Sequence, residues 1–398
     1  MSIMEKPAVE GGQPVRSDFL PFGKPTIGEE EINEMADTLK SGWVSMGPKT
    51  IRFEDEFKSY VGASQAVSCN SCTMALFLSM YSLGIKKGDE VILPTTTFAS
   101  AANVVVHLGA KPVFADICND TYNIDPESIE SKITENTKAV MPMHYAGHPA
   151  DMDRIIEIAN RNNLFVIEDA AHAVGSEYKG KKIGSIGDAT AFSFYATKTM
   201  TTGEGGMITT NNEELAKTSK SVRLHGISAD AWKRYSDKGS WYYEVTDAGF
   251  KANMTDMQAA LGIHQLKKLD GFIETRQKNA DHYTDRFASV DEITTPIVKK
   301  GVRHSWYIYP ILVDGLKINR DSFIKALRAE NIGTSVHFIP LHMQPYYQKT
   351  FGYSKGDYPN AEWVYDRMVS LPFFSHMTEK DIDTAADAVL KIVNYYKS

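Results

Sequence analysis

Short apolar runs alternate with amphipathic stretches over roughly the first half of the chain, from about residue 26 to residue 210. Apolar runs of three to five residues predict strands at 66–69, 91–93, 112–115, 139–143, 164–168, 190–194 and 207–210. Between them, the helical spacing of apolar positions predicts helices over 73–83 and 152–160. Strands that alternate with helices indicate an α/β lobe with a mainly parallel sheet.

The pattern changes after about residue 260. One long connecting helix is predicted over 256–279, followed by strands near 305–313 and 333–338 and helices near 320–330 and 378–395. This mixture predicts a smaller α+β lobe. Because 398 residues exceed the size of a single hydrophobic core, we expect an N-terminal extension (1–18), a large α/β domain (19–260) and a small C-terminal domain (261–398).

The composition narrows the class of partner. The net charge is −7, from 43 basic and 50 acidic side chains, and the absence of a long basic run argues against nucleic acid as a partner. No apolar run reaches the roughly 18 residues that span a bilayer. The polar N-terminus lacks the apolar core of a signal peptide, and three cysteines are too few for a disulfide framework. We therefore expect a cytoplasmic protein that acts on a small molecule.

Two candidate chemical groups follow predicted strands. Asp169 comes directly after the apolar run 164–168, and Lys198 follows the run 190–194. Because the carboxyl ends of parallel strands share one edge, where ligands bind, the two side chains could converge on one pocket. Taken alone, an aspartate at such a position is as often a helix N-cap. His172, three residues after Asp169, would face the same edge.

The stretch AVSCNSCTMAL (66–76) predicts a strand, a small polar turn and then a helix. The first turn of that helix offers free N–H groups and the positive end of the helix dipole, which together favour phosphate. Thr73 adds a hydroxyl group there. Many helices begin in this way without binding an anion, so this stretch needs support from the other groups.

Two other patterns leave a metal or redox role open. Cys69 and Cys72 form a C-x-x-C pattern, but there is no second such pattern, and Cys69 lies within the apolar strand. His144 and His148 are four residues apart, as zinc ligands on a helix can be. The glycine and proline in HYAGHP disfavour a helix there. We expect no metal site.

A phosphate cradle, an aspartate at one strand end and a lysine at another match the needs of pyridoxal phosphate. The lysine would bond covalently to the cofactor, and the carboxylate would keep the pyridine nitrogen protonated so that the ring accepts electrons. Small residues between Thr199 and Gly206 would let the backbone approach the cofactor closely. The sequence therefore predicts an enzyme that uses pyridoxal phosphate.

Many ordered stretches together resemble the DegT/StrS-type sugar aminotransferases. They are SGWVSMGPKTIRFEDEF (41–57), NSCTMAL (70–76), DEVILPTTTFASAANVV (89–105), VIEDAAHAVGSEYKGKKIGSIGD (166–188), FSFYATKTMTTGEGGMI (192–208), RLHG (223–226), NMTDMQAALG (253–262) and GTSVHFIPLH (333–342). They cover roughly residues 20 to 395. The resemblance implies a fold-type I aminotransferase, with a seven-stranded, mainly parallel sheet flanked by helices in the large lobe and a smaller C-terminal α+β lobe.

The resemblance also implies catalytic roles. Lys198 occupies the position of the lysine that carries the cofactor covalently and moves the proton during transfer. Asp169 would pair with the pyridine nitrogen. His172, at a position that is Gln or His in the family, would lie near the phenolic oxygen of the cofactor.

Further residues would bind the cofactor by the same resemblance. Thr73, with the backbone amides of Cys72 and Thr73, would hold the phosphate together with Ser193. Phe98 would stack on the ring face. Asn253 would reach the phosphate from the neighbouring subunit, so the resemblance implies a homodimer with active sites at the subunit interface. Without it, Phe98 would be interpreted as a core residue and Asn253 as a helix cap.

Residues 225–245 look most similar to the family branch that aminates C4 of nucleotide sugars, which includes the UDP-4-amino-4-deoxy-L-arabinose aminotransferase. L-Glutamate, the usual donor in the family, would yield 2-oxoglutarate and leave the cofactor as its intermediate form, pyridoxamine phosphate. Trp232, Lys233 and Arg234 would contact the nucleotide, or else form a solvated loop. His337 and His342 would line the sugar pocket, or else be structural.

Three alternatives remain. The acceptor could be a 3-keto sugar or a cyclitol ketone. A family branch that removes a sugar hydroxyl has histidine at the lysine position, so Lys198 argues against a dehydratase. A regulatory protein with a retained pocket would not need the set of Asp169, His172, Ser193 and Lys198.

Overall fold

The computed structural model describes residues 5–227 and 242–397. Its helices are α1 (Glu29–Ser41), α2 (Pro48–Val61), α3 (Cys72–Ser82), α4 (Ala99–His107), α5 (Pro126–Lys132), α6 (Met152–Asn162), α7 (Glu213–Val222), α8 (Asp256–Phe287), α9 (Arg320–Ala329), α10 (Pro345–Phe351), α11 (Pro359–Tyr365) and α12 (Glu379–Tyr396). Its strands are β1 (Gln65–Cys69), β2 (Glu90–Pro94), β3 (Lys111–Ala115), β4 (Thr137–Val140), β5 (Phe165–Asp169), β6 (Glu177–Tyr178), β7 (Lys181–Lys182), β8 (Ala189–Ser193), β9 (Gly206–Thr210), β10 (Ile293–Thr294), β11 (Val302–Arg303), β12 (Tyr309–Val313) and β13 (Met368–Leu371). None of the helices described is both long and apolar enough to cross a membrane.

Seven of the described strands form one sheet in the order β1–β9–β8–β5–β4–β2–β3. β9 runs antiparallel to both of its neighbours, whereas the other adjacent pairs are parallel. The mainly parallel sheet predicted from the sequence is therefore confirmed. The carboxyl ends of β1, β2, β4, β5 and β8 meet the start of β9 at one edge, which is the edge where such sheets bind ligands.

The strands of this sheet are continuous apolar runs because helices cover both faces. Every residue of β2, β8 and β9 is buried. On one face, Leu76 of α3 and Val105 of α4 pack in the same core as the strands. On the other face, Phe53 and Phe57 of α2 and Ile263 of α8 form a second core. A sheet buried on both faces is rigid, so the residues at its edge have fixed positions.

A smaller lobe contains the antiparallel strands β10, β12 and β13. The 32-residue helix α8 is about 48 Å long and joins the two lobes. Its early residues pack on the large lobe, whereas Tyr283 and Phe287 enter the small-lobe core beside Phe323 and Val389. The predicted connecting helix is confirmed and extends eight residues beyond residue 279.

The strand predicted over 333–338 is wrong. The Gly333 N–H donates to the Leu20 carbonyl at 2.8 Å, whereas Ser335 exchanges backbone hydrogen bonds with Ser370 in an isolated bridge. Because neighbouring residues pair with two different parts of the chain, no continuous ladder forms. The strand predicted over 305–313 begins only at Tyr309, since Trp306 has a φ of 52°, which a strand does not accommodate.

The described part of the expected N-terminal extension packs on the small lobe. The N–H groups of Ala8 and Val15 donate to the buried Glu330 carboxylate at 2.7 and 2.8 Å. The Lys391 ammonium lies 3.2 Å from the same carboxylate. Conversely, a C-terminal segment packs on the large lobe, because apolar residues of the segment 341–368 belong to the large-lobe core. The lobes therefore exchange segments on both sides of residue 260.

Replacing Glu330 with alanine should leave the buried Lys391 ammonium with only the exposed Glu5 carboxylate, 4.0 Å away, as a counter-charge, and should release two backbone N–H groups. The Glu330 and Lys391 side chains are at most 4% exposed, so we expect the free energy of unfolding to fall by about 3–5 kcal/mol. Urea unfolding measures the change. Glu157→Ala, which breaks the exposed pair with Arg154, is the control and should cost at most about 1 kcal/mol. An unchanged midpoint for Glu330→Ala would contradict this account.

Candidate active site

A cavity of about 490 Å³ opens at the carboxyl edge of the large sheet. Residues singled out from the sequence line it, namely Cys72, Thr73, Phe98, Asp169, His172, Ser193, Lys198 and His337. Phe22, Tyr307 and Phe338 also line the cavity. Since Phe22, Tyr307 and Phe338 lie outside the large sheet, the cavity is bounded by several distant parts of the chain.

Asp169 is the last residue of β5 and is 3% exposed. Its Oδ1 accepts a hydrogen bond from the Ala171 N–H at 3.0 Å. Burial raises the pKa of the carboxyl group, while this hydrogen bond and the positive charge of Lys198 act in the opposite direction. The carboxyl group is thus placed where a cation in the cavity would stabilise its charged form.

Lys198 lies in the turn that follows β8, at the same edge as Asp169. Its Nζ is 4.1 Å from the centroid of the Tyr307 ring, a distance typical of a cation–π contact. The Tyr307 hydroxyl is 3.2 Å from Oγ1 of Thr197. The Lys198 amine therefore lies in the cavity beside the Tyr307 ring, whose hydroxyl group is fixed by a hydrogen bond.

His172 is buried and carries no charge near neutral pH, because burial lowers its pKa well below the usual value. Its Nδ1 accepts the Ala146 N–H at 3.3 Å, which assigns the proton of the neutral ring to Nε2. The ring packs against Tyr307, with 4.3 Å between centroids. His172 can therefore donate one hydrogen bond from Nε2.

The start of α3 forms one end of the cavity. The Ser71 side chain caps the helix by accepting the Met74 N–H at 3.2 Å. Gly206, the first residue of β9, lies so close that a Cβ there would be 2.4 Å from the Ser71 carbonyl carbon and oxygen and 2.6 Å from the Cys72 nitrogen. Ser193, which pairs with Gly206 across the strands, places its hydroxyl at the same end.

The two cysteines of the C-x-x-C pattern remain thiols at neutral pH. Burial raises the pKa of Cys69 to about 12 and raises the pKa of Cys72 well above its usual value. The Sγ atoms of Cys69 and Cys72 contact the carbonyl oxygens of Val67 and Ala191. Because metal binding and redox exchange require a thiolate, this environment disfavours both roles.

His337 lines the cavity, whereas His342 does not. Nδ1 of His337 is 2.9 Å from the Ser370 hydroxyl, and burial lowers the pKa of His337 to about 3. His342 is fully buried, with its ring nitrogens 2.7 and 3.0 Å from oxygens of Thr95 and Glu362. Of the two interpretations left open by the sequence, the structural one fits His342.

Two other expectations lie away from the described cavity. Asn253 is 7% exposed and is not part of the cavity wall, and its Nδ2 donates to the Met254 carbonyl at 3.0 Å. Trp232, Lys233 and Arg234 lie outside the described residues.

Phe22, Tyr307 and Phe338 were missed as site residues by the sequence reasoning. Tyr307 was hidden in an apolar stretch, RHSWYIYPILV, that reads as a strand. Phe22 and Phe338 reach the cavity only through tertiary packing: the Phe22 ring is 5.3 Å from the His337 ring, and the Phe338 ring is 5.7 Å from the His172 ring. No local pattern distinguishes these aromatic residues from core residues.

The donor set fits pyridoxal phosphate. A buried carboxyl group faces the same cavity as a lysine amine, and the first turn of α3 offers the N–H groups of Cys72 and Thr73, which lie before the first intrahelical donor. The close approach of Gly206 keeps side-chain atoms out of that end. These groups match the pyridine nitrogen, the aldehyde carbon and the phosphate of the cofactor.

Comparisons with known proteins agree with this chemistry. The model of the DegT/DnrJ/EryC1/StrS aminotransferase family matches residues 25–390. A protein of Methanocaldococcus jannaschii, "Uncharacterized protein MJ1066", is 59% identical over 382 residues, which is 96% of this chain and 99% of the relative. The spore coat polysaccharide biosynthesis protein SpsC of Bacillus subtilis is 53% identical over 381 residues, which is 95% of this chain and 98% of the relative.

Solved structures give the same result. Spr1654 of Streptococcus pneumoniae, a proposed sugar aminotransferase, has a TM-score of 0.89 in its PMP form, at 33% identity over 94% of this chain and 99% of that chain. Its PLP form has a TM-score of 0.89 at 32% identity, over 95% and 99% of the two chains. The chain described here belongs to the DegT/DnrJ/EryC1/StrS family of aminotransferases, which depend on pyridoxal phosphate.

Proposed function

We propose that this chain transfers an amino group from L-glutamate to C4 of a nucleotide-linked keto sugar, in the biosynthesis of a polysaccharide. The observation that carries the proposal is the meeting of the Lys198 amine, the Asp169 carboxyl group and the start of α3 in one cavity. The polysaccharide role of SpsC and the sugar chemistry proposed for Spr1654 support a sugar acceptor. The resemblance of residues 225–245 to the C4-aminating branch supports the position.

When bound, pyridoxal phosphate supplies an electron sink for the carbanion that forms at the donor carbon. The large lobe holds it in this proposal. The Cys72 and Thr73 amides and the Thr73 and Ser193 hydroxyls bind its phosphate at the positive end of the α3 dipole. Phe98 contacts the ring face.

Asp169 stabilises the protonated form of the pyridine nitrogen. Burial raises the pKa of Asp169, which makes its charged form costly. A cation in the cavity lowers the free energy of that charged form, and the carboxylate stabilises the cation in the same way. His172, neutral and with its proton on Nε2, donates a hydrogen bond to the phenolic oxygen. Burial keeps His172 neutral, whereas the cation that faces Asp169 keeps its carboxyl group charged.

Lys198 binds the cofactor covalently and later acts as a general acid and base. Its free amine, lying in the cavity, would remove the proton from the donor α-carbon as a general base and return it as a general acid. In the second half-reaction it moves a proton in the reverse direction. The aromatic face of Tyr307 lies against Nζ and limits where the displaced amine can go.

The diphosphate of the nucleotide needs cationic partners from outside the described cavity wall. Lys198 is the only lysine or arginine in the cavity wall formed by residues 5–227 and 242–397. We therefore propose that Lys233 and Arg234, with Trp232 as a stacking face, bind the nucleotide diphosphate. We also propose a homodimer in which Asn253 of one protomer completes the phosphate site of its partner.

The first prediction concerns Lys198. The purified protein should be yellow when loaded with pyridoxal phosphate and should lose that absorbance when L-glutamate is added. Lys198→Ala should remove both properties, because no other lysine lies in the described wall of the cavity. Absorbance spectra before and after glutamate measure this. Screening keto sugar nucleotides for return of the yellow form then identifies the acceptor.

The controls separate the alternatives. A protein that binds the cofactor but does not respond to glutamate would indicate another donor or a lyase. Restoration of the yellow form by 3-keto sugars alone would move the acceptor position to C3. Failure of the wild-type protein to bind pyridoxal phosphate would remove the basis of the proposal.

The second prediction concerns Asp169. Asp169→Asn keeps the size of the side chain but removes its charge, so turnover should fall by about 10²-fold or more, and Asp169→Ala should also bind the cofactor weakly. Asp188→Asn is the matched control, because Asp188 precedes β8 at the opposite edge of the sheet and accepts the Val166 N–H at 2.8 Å. Near wild-type turnover by Asp169→Asn would show that the carboxylate is not required.

The third prediction concerns Gly206. Gly206→Ala should raise the dissociation constant for pyridoxal phosphate by about tenfold or more, because its Cβ would lie 2.4 Å from Ser71 backbone atoms and displace the start of α3. Titration of the apoenzyme, followed by absorbance, measures this. Gly271→Ala in α8, where no atom lies within 4 Å of the added Cβ, should bind as the wild type does. Equal affinities for both variants would argue against phosphate binding at α3.

A further inference from the structure

A buried histidine outside the cavity connects two distant parts of the chain. Nδ1 of His342 is 2.7 Å from Oγ1 of Thr95, and Nε2 is 3.0 Å from Oε1 of Glu362. The His342 side chain is fully buried and that of Glu362 is 12% exposed. We refer to these three residues as the Thr95–His342–Glu362 clasp.

The hydrogen bonds of the clasp have a defined direction. Oε1 of Glu362 accepts the Gly356 N–H at 2.5 Å and faces Nε2 of His342, so Nε2 must donate. Burial lowers the pKa of His342, which keeps the ring neutral near pH 7. Nδ1 of the neutral ring therefore accepts the Thr95 hydroxyl proton. Each ring nitrogen of His342 has one partner, and the donor and acceptor roles are consistent throughout the clasp, so its hydrogen bonds are satisfied in a single arrangement.

The clasp joins the two segments that bring Phe98 and Phe338 to the cavity. Thr95 begins the loop that leads from β2 to Phe98. Its carbonyl accepts the Leu341 N–H at 2.8 Å, and its Oγ1 accepts the His342 N–H at 3.3 Å. The second segment is 338–342, in which Phe338 lies in the cavity wall and His342 follows four residues later.

Phe98 depends on its backbone for its position. Its side chain is 58% exposed, and the nearest aromatic neighbour, Phe338, is 5.9 Å away between ring centroids. With so little packing around the ring, its orientation follows from the loop at residues 95–98 and from the start of α4. The clasp fixes the loop at residues 95–98, which is the first of these two determinants of the ring position.

We propose that His342 is a positioning residue for cofactor binding: through the Thr95–His342–Glu362 clasp it fixes the loop before Phe98 and so sets that ring against bound pyridoxal phosphate. This inference rests on the proposed function, since it takes pyridoxal phosphate as the ligand of the cavity. A neutral histidine suits the place because it accepts at one nitrogen and donates at the other, in opposite directions.

Thr95→Val tests the proposal with an almost isosteric change. It removes the hydroxyl that donates to Nδ1 and that accepts the His342 N–H at 3.3 Å. The dissociation constant for pyridoxal phosphate should therefore rise by about threefold or more, the effect of losing at least one hydrogen bond. Apoenzyme titration, followed by absorbance and by visible circular dichroism of the bound cofactor, measures the change. The matched control is Thr209→Val, because Thr209 is fully buried and donates to the Gly184 carbonyl at 2.7 Å. It should bind the cofactor as the wild type does.

A double variant tests whether the clasp acts through Phe98. If it does, Phe98→Ala should already remove most of the benefit, so Thr95→Val combined with Phe98→Ala should bind no more than about twofold more weakly than Phe98→Ala alone. His342→Asn provides a second route if a variant folds poorly, because its amide oxygen can replace Nδ1 as an acceptor. It should bind the cofactor more tightly than His342→Leu.

The outcomes separate the two levels of the argument. Wild-type protein that binds no pyridoxal phosphate would contradict the proposed function itself. Normal wild-type binding, together with an unchanged dissociation constant in Thr95→Val or with fully additive effects in the double variant, would overturn only the positioning role of His342.

Discussion

The Asp169 carboxyl group is the constraint around which the site is built. It is buried at the end of β5, with the Ala171 N–H as its hydrogen-bond donor. A buried carboxylate is costly unless a cation faces it, and burial accordingly raises its pKa. The same desolvation lowers the pKa of His172 and keeps its ring neutral. The cavity therefore combines three groups: the Asp169 carboxyl group, whose charged form a cation stabilises, the neutral hydrogen-bond donor His172, and the Lys198 amine.

The Tyr307 ring, which lies beside the Lys198 amine, is positioned by residues outside the large sheet. Arg276 of α8 is fully buried, and its NH1 group donates to the carbonyls of Trp306 and Tyr307 at 3.0 and 3.1 Å. No carboxylate lies within ion-pair distance of it in the described ranges, and burial lowers its pKa to about 10. A guanidinium bonded to main-chain carbonyls holds the turn at Trp306, whose φ is 52°. The helix that joins the lobes therefore also sets the position of Tyr307 beside Lys198.

The sequence predicted the parts of the site that depend on local pattern. Asp169, Ser193 and Lys198 follow apolar runs, and a parallel sheet brings such strand ends together, so their convergence could be deduced. His342 could not be placed in this way. Its partners Thr95 and Glu362 are 247 and 20 residues away in sequence, and nothing near His342 identifies them. The strand predicted over 333–338 failed for the same reason, because apolar alternation does not show which backbone a segment will meet.

The proposed function assigns the chemistry and the recognition of the substrate to different parts of the molecule. Among the described residues of the cavity wall, the one lysine or arginine is Lys198, to which the proposed function gives the proton transfer. Phe22, Phe98 and Phe338 give much of the remaining wall an apolar character, and burial keeps His337 neutral. In the proposed function, affinity for an anionic nucleotide then comes from side chains beyond this wall. Such side chains can change without disturbing the buried acid and the amine, which explains why the sequence indicates the type of reaction more sharply than the sugar.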